Sequence, residues 1–194
     1  MALSYWKDMF GAGSLEQIAA VISLLAIVLA SKQIIASWPM DILSSVLYAV
    51  VFYRARLFSD TLLQGLFIAM SLYGWYKWQD RTVLKVRHAS VKEIVAAAVF
   101  AFIYMLISGW ALLHFTTASF PFVDSLCSAM SIAATFLAAC KVIENWHIWI
   151  CVDCLYVALF AVKGLYPTAV LYVIFIIIAF YGLLSWRKSE KAND

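Results

Sequence analysis

The chain has 194 residues, of which 65% are hydrophobic and 13% charged, with a formal net charge of +3 and a mean hydropathy of +0.92. That much apolar surface excludes an ordinary soluble domain and predicts an all-α integral membrane protein. The small net charge gives no footing for a nucleic-acid role.

Met1 to Gly13 has no long apolar core and is interrupted by Lys7 and Asp8. It does not read as a signal peptide, and the first apolar run is expected to stay in the mature protein. Seven segments are apolar over about the length of a bilayer crossing, roughly 20 residues for a helix. In chain order they are 15–31, 36–54, 60–78, 92–113, 122–140, 145–162 and 167–186. The second opens on Ser37-Trp38-Pro39 and carries Asp41 near its start, as a cap or as a gate. The third contains Gln64. The fifth opens with Asp124, an acidic residue suited to capping a helix start. Trp78 and Trp186 close the third and seventh and read as interfacial anchors. Cys127, Cys140, Cys151 and Cys154 lie in or at the ends of apolar segments. Cys151 and Cys154 form a C-x-x-C without a second ligand pair, so packing is the expected role and no metal is expected.

The sequence matches itself at an offset of 108 positions without a gap. Trp38 falls on Trp146, Tyr48 on Tyr156, Phe52 on Phe160, Tyr73-Gly74 on Tyr181-Gly182 and Trp78 on Trp186. Leu and Ala matches arise by composition, but a register shared by Trp, Tyr and Gly does not. Residues 15–78 and 122–186 are therefore expected to be two three-helix repeats, with 92–113 a linker helix between them. Three crossings reverse direction, and one extra crossing restores it, so the expectation is a 3+1+3 parallel repeat in a single membrane domain. Lys7, Arg54, Arg56 and Lys163 fall on one side of the membrane, and the other Lys and Arg residues fall on the opposite side. The richer side is expected to be cytoplasmic, with the N-terminus outside and the C-terminus inside.

Ionisable groups at membrane depth are costly and usually functional. Asp153 is the sharpest case, near the middle of the sixth segment, where the other repeat has Ser45. Asn145, Trp149, Asp153 and Tyr156 fall on one helical stripe, which is expected to line a polar cavity. Gln64 and its equivalent Tyr172 offer an amide and a phenol that could hydrogen-bond a ligand or bridge helices. Trp146 matches Trp38 and suggests a structural role in both halves. His147 reads as a loop-end residue, and Lys163 as a solvated loop charge.

Several stretches resemble the PnuC-type vitamin transporters. They are Phe120 to Ser125, Glu144-Asn145-Trp146 with Trp149 and Asp153, Gly164-Leu165-Tyr166, Leu171-Tyr172, Gly182, Leu63-Gln64, and Tyr73 to Trp78. The resemblance spans nearly the whole chain. It implies a seven-helix bundle similar to the SWEETs, a homotrimer in a bacterial inner membrane, and facilitated diffusion of a vitamin that a cytoplasmic kinase then traps. It implies no enzyme activity and no cofactor. The substrate-binding residues expected on this basis are Asn145, Trp149, Asp153, Tyr156, Gln64, Tyr172, Trp38 and Lys163. Members that carry nicotinamide riboside resemble this chain less at Asp153, where they have an amide. The chain looks more like the thiamine branch (PnuT), and thiamine, a flat cation, is the expected substrate. Nicotinamide riboside, riboflavin, or a proton-coupled carrier using Asp153 are the alternatives.

Overall fold

A computed structural model describes residues 2–54, 58–79, 84–116, 120–162 and 166–192, with backbone only for 2–14, 58–59 and 166–168. Lys163 lies outside the described residues. The described chain forms helices α1 (Ala2–Ser31), α2 (Ser37–Arg54), α3 (Phe58–Trp78), α4 (Val91–Phe115), α5 (Pro121–Ala139), α6 (Glu144–Val162) and α7 (Tyr166–Lys191). Each predicted segment falls within or on one of them. The first, predicted over 15–31, is the later part of a longer helix, because a helix satisfies its own backbone whether or not the next turn is apolar. Among the described residues α4, α5, α6 and α7 are long and apolar enough to cross a membrane. The apolar part of α1, Leu15–Ser31, is shorter, and polar residues such as Asp41, Ser44, Ser45, Asp60 and Gln64 dilute α2 and α3.

The chain divides into two compact units, Met1–Gln79 and Asp80–Asp194. In the first, α1 packs on α2 and α2 on α3. In the second, α4 packs on α5, α5 on α6 and α6 on α7. The helix between the predicted repeats thus belongs to the second unit. Gly109 brings α4 so close to Phe122 that a Cβ there would overlap the ring.

The same device turns α1 into α2 in the first unit and α5 into α6 in the second. α1 ends in a Schellman motif, with Ile34 N–H bonded to Leu29 O at 3.0 Å and Gln33 N–H to Ala30 O at 2.9 Å. Gln33 takes the left-handed position, φ 56°. At the end of α5, Val142 N–H bonds Leu137 O at 2.9 Å and Lys141 N–H bonds Ala138 O at 3.0 Å, with Lys141 at φ 52°. These are equivalent residues in the offset of 108. Neither is glycine, so both accept the cost of the left-handed region in return for satisfied helix-end carbonyls.

The tryptophans hold each unit together. Trp38 meets Trp78 edge-on, centroids 5.3 Å apart at 88°, and Trp146 meets Trp186 at 5.6 Å and 86°. All four are buried. Trp78 and Trp186 are therefore core residues and not interfacial anchors. Their place at the end of an apolar run suggested the interface, but each has an indole from the preceding helix to pack on. The same indoles press on glycines, since a Cβ at Gly74 would lie 2.5 Å from Trp38 and one at Gly182 would lie 2.7 Å from Trp146.

Gly74→Ala or Gly182→Ala should destabilise its unit by about 1–3 kcal/mol through overpacking against a wedged ring. Gly65→Ala, with nothing within 4 Å of the added Cβ, should not. Thermal unfolding of the purified variants checks this, and equal melting temperatures for the three would contradict the wedge.

Candidate functional site

In the second unit, α6 begins where the α5–α6 turn delivers Glu144, and its stripe runs from Asn145 through Trp149 and Asp153 to Tyr156. Asn145 and Asp153 are buried, and Trp149 and Tyr156 are half-buried. Asn145 Nδ2 donates to Val142 O at 2.6 Å, which ties it to the turn. Its Oδ1 is buried without a partner among the described residues. Asp153 has no hydrogen-bond partner among the described residues. It lies 5% exposed, within electrostatic range of Cys127 on α5.

Tyr156 and Tyr172 come together as expected, with ring centroids 4.8 Å apart. Phe160 stacks on both, at 5.8 Å from Tyr156 and 5.4 Å from Tyr172, and Phe175 meets Tyr172 edge-on. The result is an aromatic cluster built from α6 and α7, the kind of surface that accepts a flat or cationic ring. Gln64 is half-buried on α3 and Trp38 is buried on α2, both in the first unit. Trp38 serves the packing wedge, although its Nε1, like that of Trp146, is buried without a partner among the described residues. Two polar members of the stripe, Asn145 and Asp153, are buried, and a groove of about 400 Å³ in the first unit, lined by Val46, Val50, Tyr53, Arg54, Thr61 and Ile68, contains none of the expected site residues.

Sequence reasoning missed two arrangements. Ser71 on α3 donates to Asp41 Oδ2 on α2, so Asp41 is neither a cap nor an isolated charge. The only sequence signal was a serine in an apolar helix, which is common in membrane helices. The other is a clasp on the loop before α4. His88 Nδ1 lies 2.7 Å from Glu144 Oε1 and Nε2 lies 3.3 Å from Glu190 Oε2. Ala89 N–H donates to Glu144 Oε2 at 2.8 Å. Arg87 exchanges backbone hydrogen bonds with the α5–α6 turn, to Lys141 O at 3.1 Å and from Ile143 N–H at 3.0 Å. Its guanidinium binds Glu93 through two bonds of 2.8 and 2.6 Å, and Ser90 and Glu93 form a capping box for α4. The loop is thereby fastened to the α5–α6 turn and to the last turns of α7. His147, read as a loop-end residue, is in the first turns of α6, with Nε2 3.2 Å from Arg187.

Both ring nitrogens of His88 face carboxylate oxygens, which only accept. Both contacts are satisfied only when the ring is doubly protonated. The hydrogen bond to Glu144 accordingly raises the His88 pKa above its ordinary 6.5, with burial and Arg187 opposing.

Four described helices long and apolar enough to cross a bilayer are those of a multi-pass membrane protein. Residues 13–188 match the family described as nicotinamide mononucleotide transporter, and the chain belongs to that family. It is 28% identical over 91% of its length, and 86% of the relative's, to the nicotinamide riboside transporter PnuC of Escherichia coli. It is 26% identical to the PnuC of Neisseria mucosa, covering 93% of this chain and 74% of that one. It is 27% identical to the riboflavin/roseoflavin transporter RibM of Streptomyces davaonensis, covering 97% and 88%. The crystal structure of a vitamin B3 transporter PnuC shares the fold, with a TM-score of 0.76, 23% identity and coverage of 98% of this chain and 88% of that one. The vitamin-transporter reading of the sequence therefore stands. Its preference for thiamine finds no support in these relatives, which are named for nicotinamide riboside and riboflavin. That preference rested on two departures, an Asp at 153 where nicotinamide riboside carriers are expected to have an amide, and an apolar Val170 to Tyr172 where they are expected to have an acidic residue.

His88→Gln should lower thermal stability near pH 6 and make little difference near pH 9. The folded pKa is raised, so the contribution is complete below the ordinary value and is lost as pH rises through the folded one. Melting curves of both proteins across that range test this, and a gap that stays constant with pH would show the contacts to be uncharged packing.

Proposed function

We propose that this chain is a facilitative carrier of a ring-bearing B-vitamin, with nicotinamide riboside as the leading substrate. The observation that carries the reading is Asp153. It is a carboxylate on α6, buried among apolar helices, with no hydrogen-bond partner among the described residues, in a chain of a vitamin-transporter family. An unpaired charge at that depth is expensive, and the second unit does not use it to bond its helices. The stripe of Asn145, Trp149, Asp153 and Tyr156, with Tyr172 across from Tyr156, supplies an acceptor, a carboxylate and ring faces. Those groups suit a nicotinamide amide beside a positively charged ring. Lys163 is a further proposed contact in the second unit, and Gln64 and Trp38 are proposed contacts carried by the first unit.

The names of the relatives support nicotinamide riboside first and riboflavin next. Thiamine is the second reading, favoured by Asp153, because a carboxylate pairs with the amino group of an aminopyrimidine. The rest of the proposal rests on the family resemblance and on loop charge. It comprises seven crossings in a 3+1+3 parallel repeat, an outside N-terminus and inside C-terminus, a homotrimer in a bacterial inner membrane, and trapping by a cytoplasmic kinase. The matched Schellman turns and Trp–Gly wedges at an offset of 108 support the duplication.

Calorimetric titration of the detergent-purified protein with nicotinamide riboside, thiamine and riboflavin tests the substrate. Binding of nicotinamide riboside is expected, and binding of thiamine alone would reinstate the thiamine branch. Asp153→Ala should weaken binding about tenfold or more, the worth of a hydrogen bond to a charged group, without lowering the melting temperature. Undiminished binding would make Asp153 structural. Uptake into sealed vesicles that depends on a pH gradient, and is lost in Asp153→Asn, would replace facilitation with proton coupling.

A further inference from the structure

Residues 86–89 lead into α4 and lie across the α5–α6 turn. Two kinds of attachment hold them there. The first is backbone and apolar. Arg87 N–H donates to Lys141 O, and Arg87 O accepts from Ile143 N–H, while Val86, Val142 and Ile143 are buried. None of this responds to pH. The second is ionic and runs through one side chain. His88 Nδ1 lies 2.7 Å from Glu144 at the start of α6, and Nε2 lies 3.3 Å from Glu190 near the end of α7. The ring joins three elements, and at 58% exposure it exchanges protons directly with solvent.

The fold does not require the ionic attachment. At the offset of 108, Glu144, His147, Arg187 and Glu190 fall on Ala36, Pro39, Gln79 and Thr82, none of them charged. The first unit still builds the same turn, the same Trp pair and the same glycine wedge. Ile34 is exposed there and Ile35 half-buried, where the second unit buries Val142 and Ile143.

We propose that residues 86–89 are a strap that restrains the α6–α7 end of the second unit while His88 is protonated and loosens when His88 loses its proton, so that vitamin transport speeds up as pH rises. This regulation rests on the vitamin-carrier reading above.

The charged groups acting on His88 are Glu144 from α6 and both Glu190 and Arg187 from α7. Arg187 faces His147 of α6, and Arg87, next to His88, is held by Glu93 of α4. A protonated ring donates to both carboxylates. A neutral ring turns a lone pair toward one of them, and attraction gives way to repulsion. The restraint is therefore complete below the ordinary histidine pKa and is lost as pH rises through the folded value, which lies higher. Asn145, the first residue of the proposed binding stripe, directly follows Glu144 and donates to Val142 O in the strapped turn. A carrier cycles through small shifts of packed helices, and a strap joining the start of α6 to the end of α7 resists them.

Two readouts test this between about pH 6 and pH 9. One is hydrogen-exchange protection of residues 86–90 in the purified full-length protein, corrected for the intrinsic exchange rate. The other is uptake of nicotinamide riboside, or of thiamine or riboflavin if only that one is carried, into sealed vesicles at equal pH on both sides. With rising pH, protection should fall and uptake should rise, each about three- to fivefold, the worth of an exposed ion pair. His88→Gln should be loosely held and fast at both ends of the range. His88→Arg keeps its charge throughout, so it should stay protected and slow at both ends, and a side chain that only packed would not separate the two variants. Protection that does not change with pH, or the same pH profile in His88→Gln as in the unmodified protein, would overturn the proposal. So would protection that falls while uptake stays flat. If the unmodified protein takes up none of the three vitamins, the carrier reading fails and the regulation fails with it.

Discussion

In each unit an indole from one helix presses against a glycine of the next, Trp38 of α2 against Gly74 of α3 and Trp146 of α6 against Gly182 of α7. Everything else in the unit is arranged around that contact. The closest approach of the two helices is set where the glycine has no Cβ, and the ring fills the space that results. A second tryptophan at the end of α3 or α7 meets the first edge-on, the arrangement aromatic quadrupoles favour. The wedge needs α2 or α6 to start at a fixed point, and the Schellman turns at Gln33 and Lys141 provide it. Trp38 N–H bonds Ile35 O at 3.2 Å and Trp146 N–H bonds Ile143 O at 3.1 Å, so the indole leaves the backbone at the same place in both.

With the frame fixed by apolar contacts, polar residues on α2 and α6 are released from holding it. Asp153 illustrates this. It is buried and contributes no bond to another helix among the described residues, which is a poor use of a carboxylate in a purely structural element. Asp41 is the contrasting case, since it is tethered by Ser71 but only through one oxygen.

Much of this was legible in the sequence. The repeat could be read because Trp38, Gly74 and Trp78 recur as Trp146, Gly182 and Trp186, and rare residue types in a fixed register carry information that Leu and Ala do not. The stripe containing Asp153 could be read because helical periodicity survives in apolar surroundings. The partners of those residues were not legible. Trp78 resembles an interfacial anchor unless one knows that Trp38 is beside it. Asp41 resembles a cap unless Ser71 is known to face it. Both depend on which helices pack together, and local pattern does not encode that. The His88 clasp was hidden for the same reason, because Glu144 and Glu190 are distant in sequence and approach only through the α5–α6 turn and the end of α7. Substrate choice was read too finely from two local departures.

The wedge also constrains how such chains can diverge. With Gly74 and Gly182 within reach of an indole, neither glycine can gain a side chain while the opposing tryptophan keeps its bulk. Volume at positions 38 and 74, and at 146 and 182, is constrained as a sum across each pair. Substitution there is expected to be correlated, with a larger residue on α3 or α7 accompanied by a smaller one on α2 or α6. The two pairs lie in different units, so one pair can exchange its large and small partners while the other keeps its present order.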